Sequence, residues 1–105
     1  MMIQVNTDAK IHGGEGFTAK IKEIVEATLS RFSEQITRVE VHLSEETGHE
    51  HGQDDKRCMM EARLEGHQPL AVTHHAASSD QAIDGAVEKL ERLLEHTTGR
   101  LRQVR

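Results

Sequence analysis

The last twenty-six residues of the chain, 80–105, have the periodicity of one long amphipathic helix. At about 100° per residue, six apolar side chains fall on one side of this helix: Ile83, Val87, Leu90, Leu94, Leu101 and Val104. Such a stripe is stable in water only when a sheet or a second helix covers it. This segment therefore constrains the fold more strongly than any other part of the sequence.

The polar side of the same helix is divided by charge. Basic residues recur at steps of three, four and four nearly opposite the apolar stripe, and we call them the basic ridge: Lys89, Arg92, His96 and Arg100. Acidic residues occupy the side of the helix between, which we call the acidic flank: Asp84, Glu88, Glu91 and Glu95. A row of cations on a rigid helix suits phosphate groups. The same pattern is equally consistent with a solvated face stabilised by opposite charges four residues apart.

Length and composition limit the classes of protein. A chain of 105 residues with 35% hydrophobic content favours a single domain over residues 1–105 with one core. The net charge of −5 argues against sequence-blind coating of nucleic acid, which needs a basic excess over the whole domain. The only aromatic residues, Phe17 and Phe32, have helical spacing and are expected in the core rather than stacked on unpaired bases. Any nucleic-acid contact must therefore be a local patch.

The redox compartment and the location follow from two absences in the sequence. Cys58 is the single cysteine, so neither a disulfide within the chain nor a multi-cysteine zinc site is available, which favours a reducing compartment. The first ten residues lack the pattern of a signal peptide, and no apolar run approaches the roughly eighteen residues of a membrane span. The sequence predicts a soluble cytoplasmic protein that does not interact with membranes.

Alternation of apolar and polar residues predicts strands at 2–6, 37–45, 57–65 and 70 to about 77. A first amphipathic helix is expected from Phe17 to about Phe32, and Ser78 with Gln81 forms a capping box before the last helix. The inward positions of the third and fourth strands are Cys58, Met60, Ala62, Leu64, Leu70, Val72 and Ala76. The order βαβββα predicts an α+β two-layer sandwich, with two helices packed on one face of a four-stranded sheet.

The eight histidines raise the question of a metal site. His49 and His51 lie in a polar loop, 48–55, and a metal-responsive role for this loop is a weaker alternative. His74 and His75 are adjacent on a strand, so they point to opposite faces and cannot chelate one ion together. The sequence therefore predicts neither a metal site nor another cofactor.

Enzymatic chemistry is also disfavoured. The sequence contains no nucleophile elbow and no glycine-rich nucleotide loop with a Lys-Ser/Thr ending. Cys58 is expected to face inward beside Met60, where a thiol behaves as a small hydrophobe. We therefore expect no catalytic residue and no small-molecule substrate.

Two basic residues of the first helix, Lys20 and Arg31, lie together on one flank. If the two helices pack side by side, they would extend the basic ridge into one groove suited to the phosphates of structured RNA. The candidate RNA-binding residues are therefore Lys89, Arg92, His96, Arg100, Arg31 and Lys20.

A family resemblance appears in the last helix, in the segment from Ala82 to Leu94, AIDGAVEKLERLL. It resembles the motif Asp-x-x-x-Ala-Ile-Asp-x-x-x-Asp-Lys-Leu-x-Arg-x-Leu of the ribosome hibernation promoting factor family. That family includes ribosome-associated inhibitor A and is also described as the sigma-factor modulation protein family. Residues 36–44 and 59–64 resemble its second and third strands, so the resemblance covers nearly the whole chain.

The resemblance implies a non-enzymatic cytoplasmic factor that binds ribosomal RNA in the channel between the head and body of the small ribosomal subunit. It would lower translation under stress or in stationary phase. Lys89 and Arg92 match basic positions of the family, and His96 and Arg100 stand where further basic residues occur. The chain ends without the extra domain that pairs ribosomes in long members, so action on single particles, or with another translation factor, is expected.

The chain also departs from the family pattern. Ile24, Ala27 and Ser30 stand at first-helix positions that are usually basic, and Gln81 replaces an aromatic residue. The alternative function is therefore a protein-binding regulatory module that kept the fold and does not bind ribosomes. It would use the acidic flank or the exposed sheet face around Arg57, Met59 and Arg63.

Overall fold

The computed structural model describes residues 1–8, 11, 14–46 and 56–103, with the side chains of residues 100–103 left out of the description. Its elements are β1 (Met2–Thr7), α1 (Glu15–Thr28), a 3₁₀ turn (Ser30–Phe32), β2 (Ile36–Glu45), β3 (Lys56–Leu64), β4 (Leu70–Ala76) and α2 (Ser79–Gln103). The predicted order of strands and helices, and the α+β class, are confirmed.

The four strands form one mixed sheet in the order β1-β2-β3-β4. β1 runs parallel to β2, while the β2–β3 and β3–β4 pairs are antiparallel. A parallel pair needs a crossover connection, and α1 supplies it. Val5, Val41, Met60 and Val72 stand opposite one another across the strands. This apolar row belongs to the face that the helices cover, and the other face is left open to solvent.

The core lies between the sheet and the two helices. α1 packs on β1, and α2 packs on β3 and β4. Each helix contributes its apolar stripe as predicted, including Ile21 and Val25 from α1 and Leu90 and Leu94 from α2, all with no exposed surface. Burial of each such side chain stabilises the fold by about 1.5–3 kcal/mol. The sheet therefore covers the apolar stripe of the last helix and shields it from water.

The end of α1 differs from the prediction. The helix ends at Thr28 rather than near Phe32, because Leu29 leaves helical geometry with φ −99° and ψ 12°. The chain then tightens into the 3₁₀ turn, in which the Phe32 amide donates to the Leu29 carbonyl at 2.9 Å. Leu29 is fully buried and Phe32 is 5% exposed. The tighter turn brings both apolar side chains into the core.

α2 begins at a partly formed capping box. The Gln81 amide donates to the Ser78 hydroxyl oxygen at 3.2 Å, which satisfies one of the free N–H groups of the first turn. Near the other end, the buried Thr98 hydroxyl donates to the Leu94 carbonyl at 2.8 Å. Val104 of the predicted stripe lies outside the described residues, as do His49 and His51.

Cys58 occupies an inward position of β3, as predicted, and has no exposed surface. Burial raises the pKa of its thiol from 9.0 to about 12, and the nearby Arg57 charge only partly opposes this effect. The thiol is therefore neutral throughout the physiological pH range, which fits a small core hydrophobe.

The raised pKa of Cys58 predicts a loss of stability in alkali. The unfolded thiol ionises first, so its contribution is complete below pH 9 and falls as the pH rises toward about 12. At pH 10 the expected loss is about 1.4 kcal/mol. Urea unfolding at pH 8 and pH 10 measures it, with Cys58→Ala as the control. Equal pH dependence in the two proteins would contradict the prediction.

Candidate RNA-binding face

The basic ridge of α2 lies on the side of the helix that faces the edge strand β4. The Lys89 ammonium donates to the Thr73 carbonyl at 2.9 Å, and the Arg92 Nε donates to the Glu88 carbonyl at 3.4 Å. Lys89, Arg92 and His96 are all exposed. Among the described residues, neither Lys89 nor Arg92 forms an ion pair with a carboxylate. These two cations are held at the helix surface by carbonyl oxygens alone.

The two basic residues of α1 bridge to the other side of α2. The Lys20 ammonium lies 3.5 Å from the Asp80 carboxylate, and the Arg31 guanidinium lies 3.2 Å from Glu95 and 3.7 Å from Glu91. Lys20 lies in the first half of α1 and Asp80 in the first turn of α2, while Arg31 follows the end of α1 and its partners lie further along α2. The helices therefore run side by side and parallel, as the groove hypothesis required.

The five predicted RNA-binding residues whose side chains are described nevertheless do not line one groove. Lys20 and Arg31 face the acidic side of α2, whereas Lys89 reaches the opposite side, toward β4. The acidic flank separates the two sets, because the carboxylates of Glu91 and Glu95 point toward α1. The helix backbone at Arg100 continues the line of the ridge, and its side chain lies outside the described residues. Of the predicted residues whose side chains are described, only Lys89, Arg92 and His96 have no carboxylate partner.

Arg31 has a second contact that holds it in place. Its guanidinium carbon lies 4.6 Å from the centroid of the Phe32 ring, in a cation–π arrangement. The Arg31 side chain is 52% exposed, and the side chain of its nearer partner, Glu95, is 63% exposed. An ion pair this exposed contributes only about 0.2–1 kcal/mol. The contacts position Arg31 without making its charge unavailable to a stronger anion.

The open face of the sheet carries opposite charges that pair both within strands and between them. Glu40 lies 3.5 Å from Arg38 and 3.6 Å from Arg63, and Arg63 also lies 3.2 Å from Glu61. Further along, Arg57 lies 3.4 Å from Glu46. Pairing of this kind stabilises neighbouring strands and leaves little net positive field on this face.

His74 lies on the helix-covered side of β4, and its contact with α2 was not predicted from the sequence. Its ring packs against Gly85 of α2 so closely that a Cβ at residue 85 would lie 2.6 Å from the ring Cγ and nearer still to Cδ2 and Nε2. Real Cβ atoms do not approach so closely, so only glycine fits this ring position. The alternation of Leu70, Val72 and Ala76 predicts that His74 faces the helices, since His74 occupies the position between Val72 and Ala76 in the same alternation.

The part of the chain that is described holds no group of three or more His, Cys, Asp or Glu side chains arranged around a metal ion. Within the same ranges, no helix combines the length and apolarity needed to cross a membrane.

Comparison with known proteins identifies the family. The model of the family described as Sigma 54 modulation protein / S30EA ribosomal protein matches residues 14–102. No curated protein matches the sequence. The Thermus thermophilus Protein Y N-terminal domain has a TM-score of 0.73 at 20% identity, with 92% of this chain and 99% of that chain covered. A ribosomal subunit interface protein from Coxiella burnetii has a TM-score of 0.69 at 16% identity, with 94% and 99% covered.

At such low identity, the two solved structures show a shared fold and no more. The family match is independent of them and spans most of the chain, including the whole of α1 and nearly all of α2. It agrees with the resemblance found in the last helix. The chain belongs to the Sigma 54 modulation protein / S30EA ribosomal protein family.

Proposed function

We propose that this protein binds the small ribosomal subunit and lowers translation under stress or in stationary phase. Its basic ridge, Lys89, Arg92, His96 and Arg100, would contact phosphates of ribosomal RNA. The observation that carries the proposal is the set of exposed, carboxylate-free cations on one side of α2 in a protein of net charge −5. Membership of this family, and a similar fold in a protein named for the ribosomal subunit interface, support it. The function requires neither a cofactor nor a catalytic residue.

The electrostatics of α2 favour one direction of approach. RNA phosphates are repelled by the acidic flank, which faces α1, and attracted by Lys89 and Arg92 on the side of β4. Neither cation has to give up an ion pair when a phosphate arrives, so no carboxylate competes with the phosphate for its charge. We therefore propose that RNA approaches α2 from the edge of the sheet.

Lys20 and Arg31 have a secondary place in this proposal. Each already contacts a carboxylate of α2, so a phosphate must compete for its charge. Because these ion pairs are exposed and weak, an RNA backbone that reaches Lys20 or Arg31 could still bind these cations. Their contribution is expected to be smaller than that of the ridge.

Binding through phosphates predicts a steep dependence on salt. Four ridge contacts would lower the affinity by roughly 100-fold between about 50 and 200 mM salt. The tagged protein should therefore sediment with small subunits in a sucrose gradient at low salt and stay at the top at high salt. Residence at the top at low salt, in lysates of both growing and starved cells, would contradict the proposal.

The open face of the sheet favours a second candidate function, a protein-binding regulatory module that does not bind ribosomes. Arg57 and Arg63 are neutralised by Glu46, Glu40 and Glu61, so this face does not suit phosphate but can contact a protein, including another translation factor. Purification of the tagged protein with one defined protein and no ribosomal RNA would favour this function over the first.

A further inference from the structure

We propose that His74 adds a proton-dependent phosphate contact beside Lys89, and so extends the RNA-binding face from α2 onto the edge of the sheet. This inference rests on the proposed function, because it takes the ligand to be the phosphate backbone of ribosomal RNA. It assigns to a histidine of β4 a role that the resemblance in the last helix does not contain.

The His74 ring lies close to Lys89. His74 packs on Gly85, and Lys89 follows one helical turn later, about 6 Å further along the same side of α2. The Lys89 ammonium contacts the carbonyl of Thr73, the residue that precedes His74. The imidazole and the ammonium are thus neighbours at the junction of β4 and α2. Oxygens of one phosphate, or of two successive phosphates, could contact both.

Both ring nitrogens of His74 are available to a ligand. The His74 side chain is half-buried. Its two ring nitrogens are nevertheless not enclosed in the core as buried atoms without a hydrogen-bond partner. Within the described residues, no hydrogen bond or ion pair engages them. His75, the next residue, points to the other face and lies 3.3 Å from Glu46. The adjacent histidines therefore differ: His75 has a carboxylate partner and His74 has none.

The charge around the ring is set by the two elements that pack on β4, namely β3 and α2. On β3, Cys58 stands opposite His74, and its thiol is neutral because burial raises its pKa to about 12. On α2, Lys89 follows Gly85 by one turn on this side, and Arg92 follows by about two turns. Glu88 lies about 60° around the helix from Gly85 and Asp84 about 100°, both toward α1, and neither forms an ion pair with His74.

Protonation of His74 makes this phosphate contact depend on pH. Imidazole is the side chain that gains a proton between about pH 8 and pH 5, and the protonated ring donates from both nitrogens. A phosphate stabilises the imidazolium, so RNA binding and proton uptake at His74 are linked. Among the described residues, no carboxylate forms an ion pair with the ring, so none takes the place of the phosphate. Acidification is therefore expected to tighten binding.

The test measures the affinity for purified small ribosomal subunits at pH 8 and pH 6 at constant salt. The parent protein carries His96→Gln, which removes the other histidine of the ridge. The parent should bind about tenfold more tightly at pH 6, as expected for one charge-assisted contact. His74→Gln should lose most of this gain. The matched control, His75→Gln on the opposite sheet face, should keep it.

A second variant covers the case in which loss of the ring disturbs the fold. His74→Lys carries a permanent charge, so it should bind as tightly at pH 8 as the parent does at pH 6. An unchanged pH gain in folded His74→Gln, or weak binding of folded His74→Lys at pH 8, would overturn the inference. Failure of the parent to bind at either pH would instead overturn the proposed function.

Discussion

Reversing the charges of Lys89 and Arg92 together is expected to abolish sedimentation with small ribosomal subunits. Each side chain would lose a charge-assisted hydrogen bond worth about 1.5–3 kcal/mol, and two such losses lower the affinity by about 100-fold or more. The new carboxylates of Lys89→Glu and Arg92→Glu would also repel the phosphates. Both residues are exposed, and their hydrogen bonds reach only carbonyl oxygens, so the fold should be retained.

The measurement is the affinity of the double variant and of each single variant, with circular dichroism as the check on folding. Lys22→Glu is the matched control for Lys89→Glu, because it makes the same charge change at an exposed position of α1 away from the ridge. It should bind nearly as the unmodified protein does. Equal losses in Lys22→Glu and Lys89→Glu would show that net charge, and not the ridge, determines binding.

Gly85→Ala is expected to destabilise the protein, although alanine is the better helix former. In an open helix position this substitution gains about 1 kcal/mol. At residue 85, however, the new methyl group overlaps the His74 ring, including its Cγ at 2.6 Å, and relieving such a collision costs about 2–3 kcal/mol, the upper part of the range for overpacking. Because Cγ is close to the backbone, the whole ring must turn away from α2. We expect a net loss of about 1–2 kcal/mol, or a fall in Tm of about 4–8 °C per kcal/mol.

Two further substitutions isolate the cause of this loss. Gly99→Ala is the control on the same helix, because its Cβ would meet no atom within 4 Å, and it should leave stability unchanged or raise it. In a His74→Ala background, Gly85→Ala should become stabilising by about 1 kcal/mol, which gives a coupling energy of about 2–3 kcal/mol. A Gly85→Ala protein that is stabilised with His74 present would mean that the ring does not occupy this position in solution.

The distribution of charge also explains how an acidic protein could bind RNA. The carboxylates of Glu91 and Glu95 are directed toward α1, where Arg31 partly neutralises them, and the ridge is left facing the edge of the sheet. Net charge describes the long-range field of the whole molecule, while phosphate contacts depend on the local arrangement within about a Debye length, roughly 10 Å. The acidic balance that favours the protein-binding alternative therefore does not exclude the first function.

The sequence by itself determined the architecture, because periodicity is a local property. The alternation that buries Val39, Val41 and Leu43, and the helical period that buries Leu90 and Leu94, require no knowledge of the neighbours they pack against. The exposure of the ridge followed for the same reason, since residues opposite an apolar stripe must face solvent. The family motif lies in the same helix, so the family could also be predicted.

Only the tertiary structure decided which charges act together. The distance from Arg31 to Glu95 joins residues that are 64 positions apart, and no period predicts which side of α2 faces α1. The packing of Leu29 and Phe32 ended α1 early, against the continuing helical pattern. The fit of His74 against Gly85 also depends on two elements meeting at one point. Periodicity specifies the face of each element, but the pairing of faces is set by packing between segments that are distant in the chain.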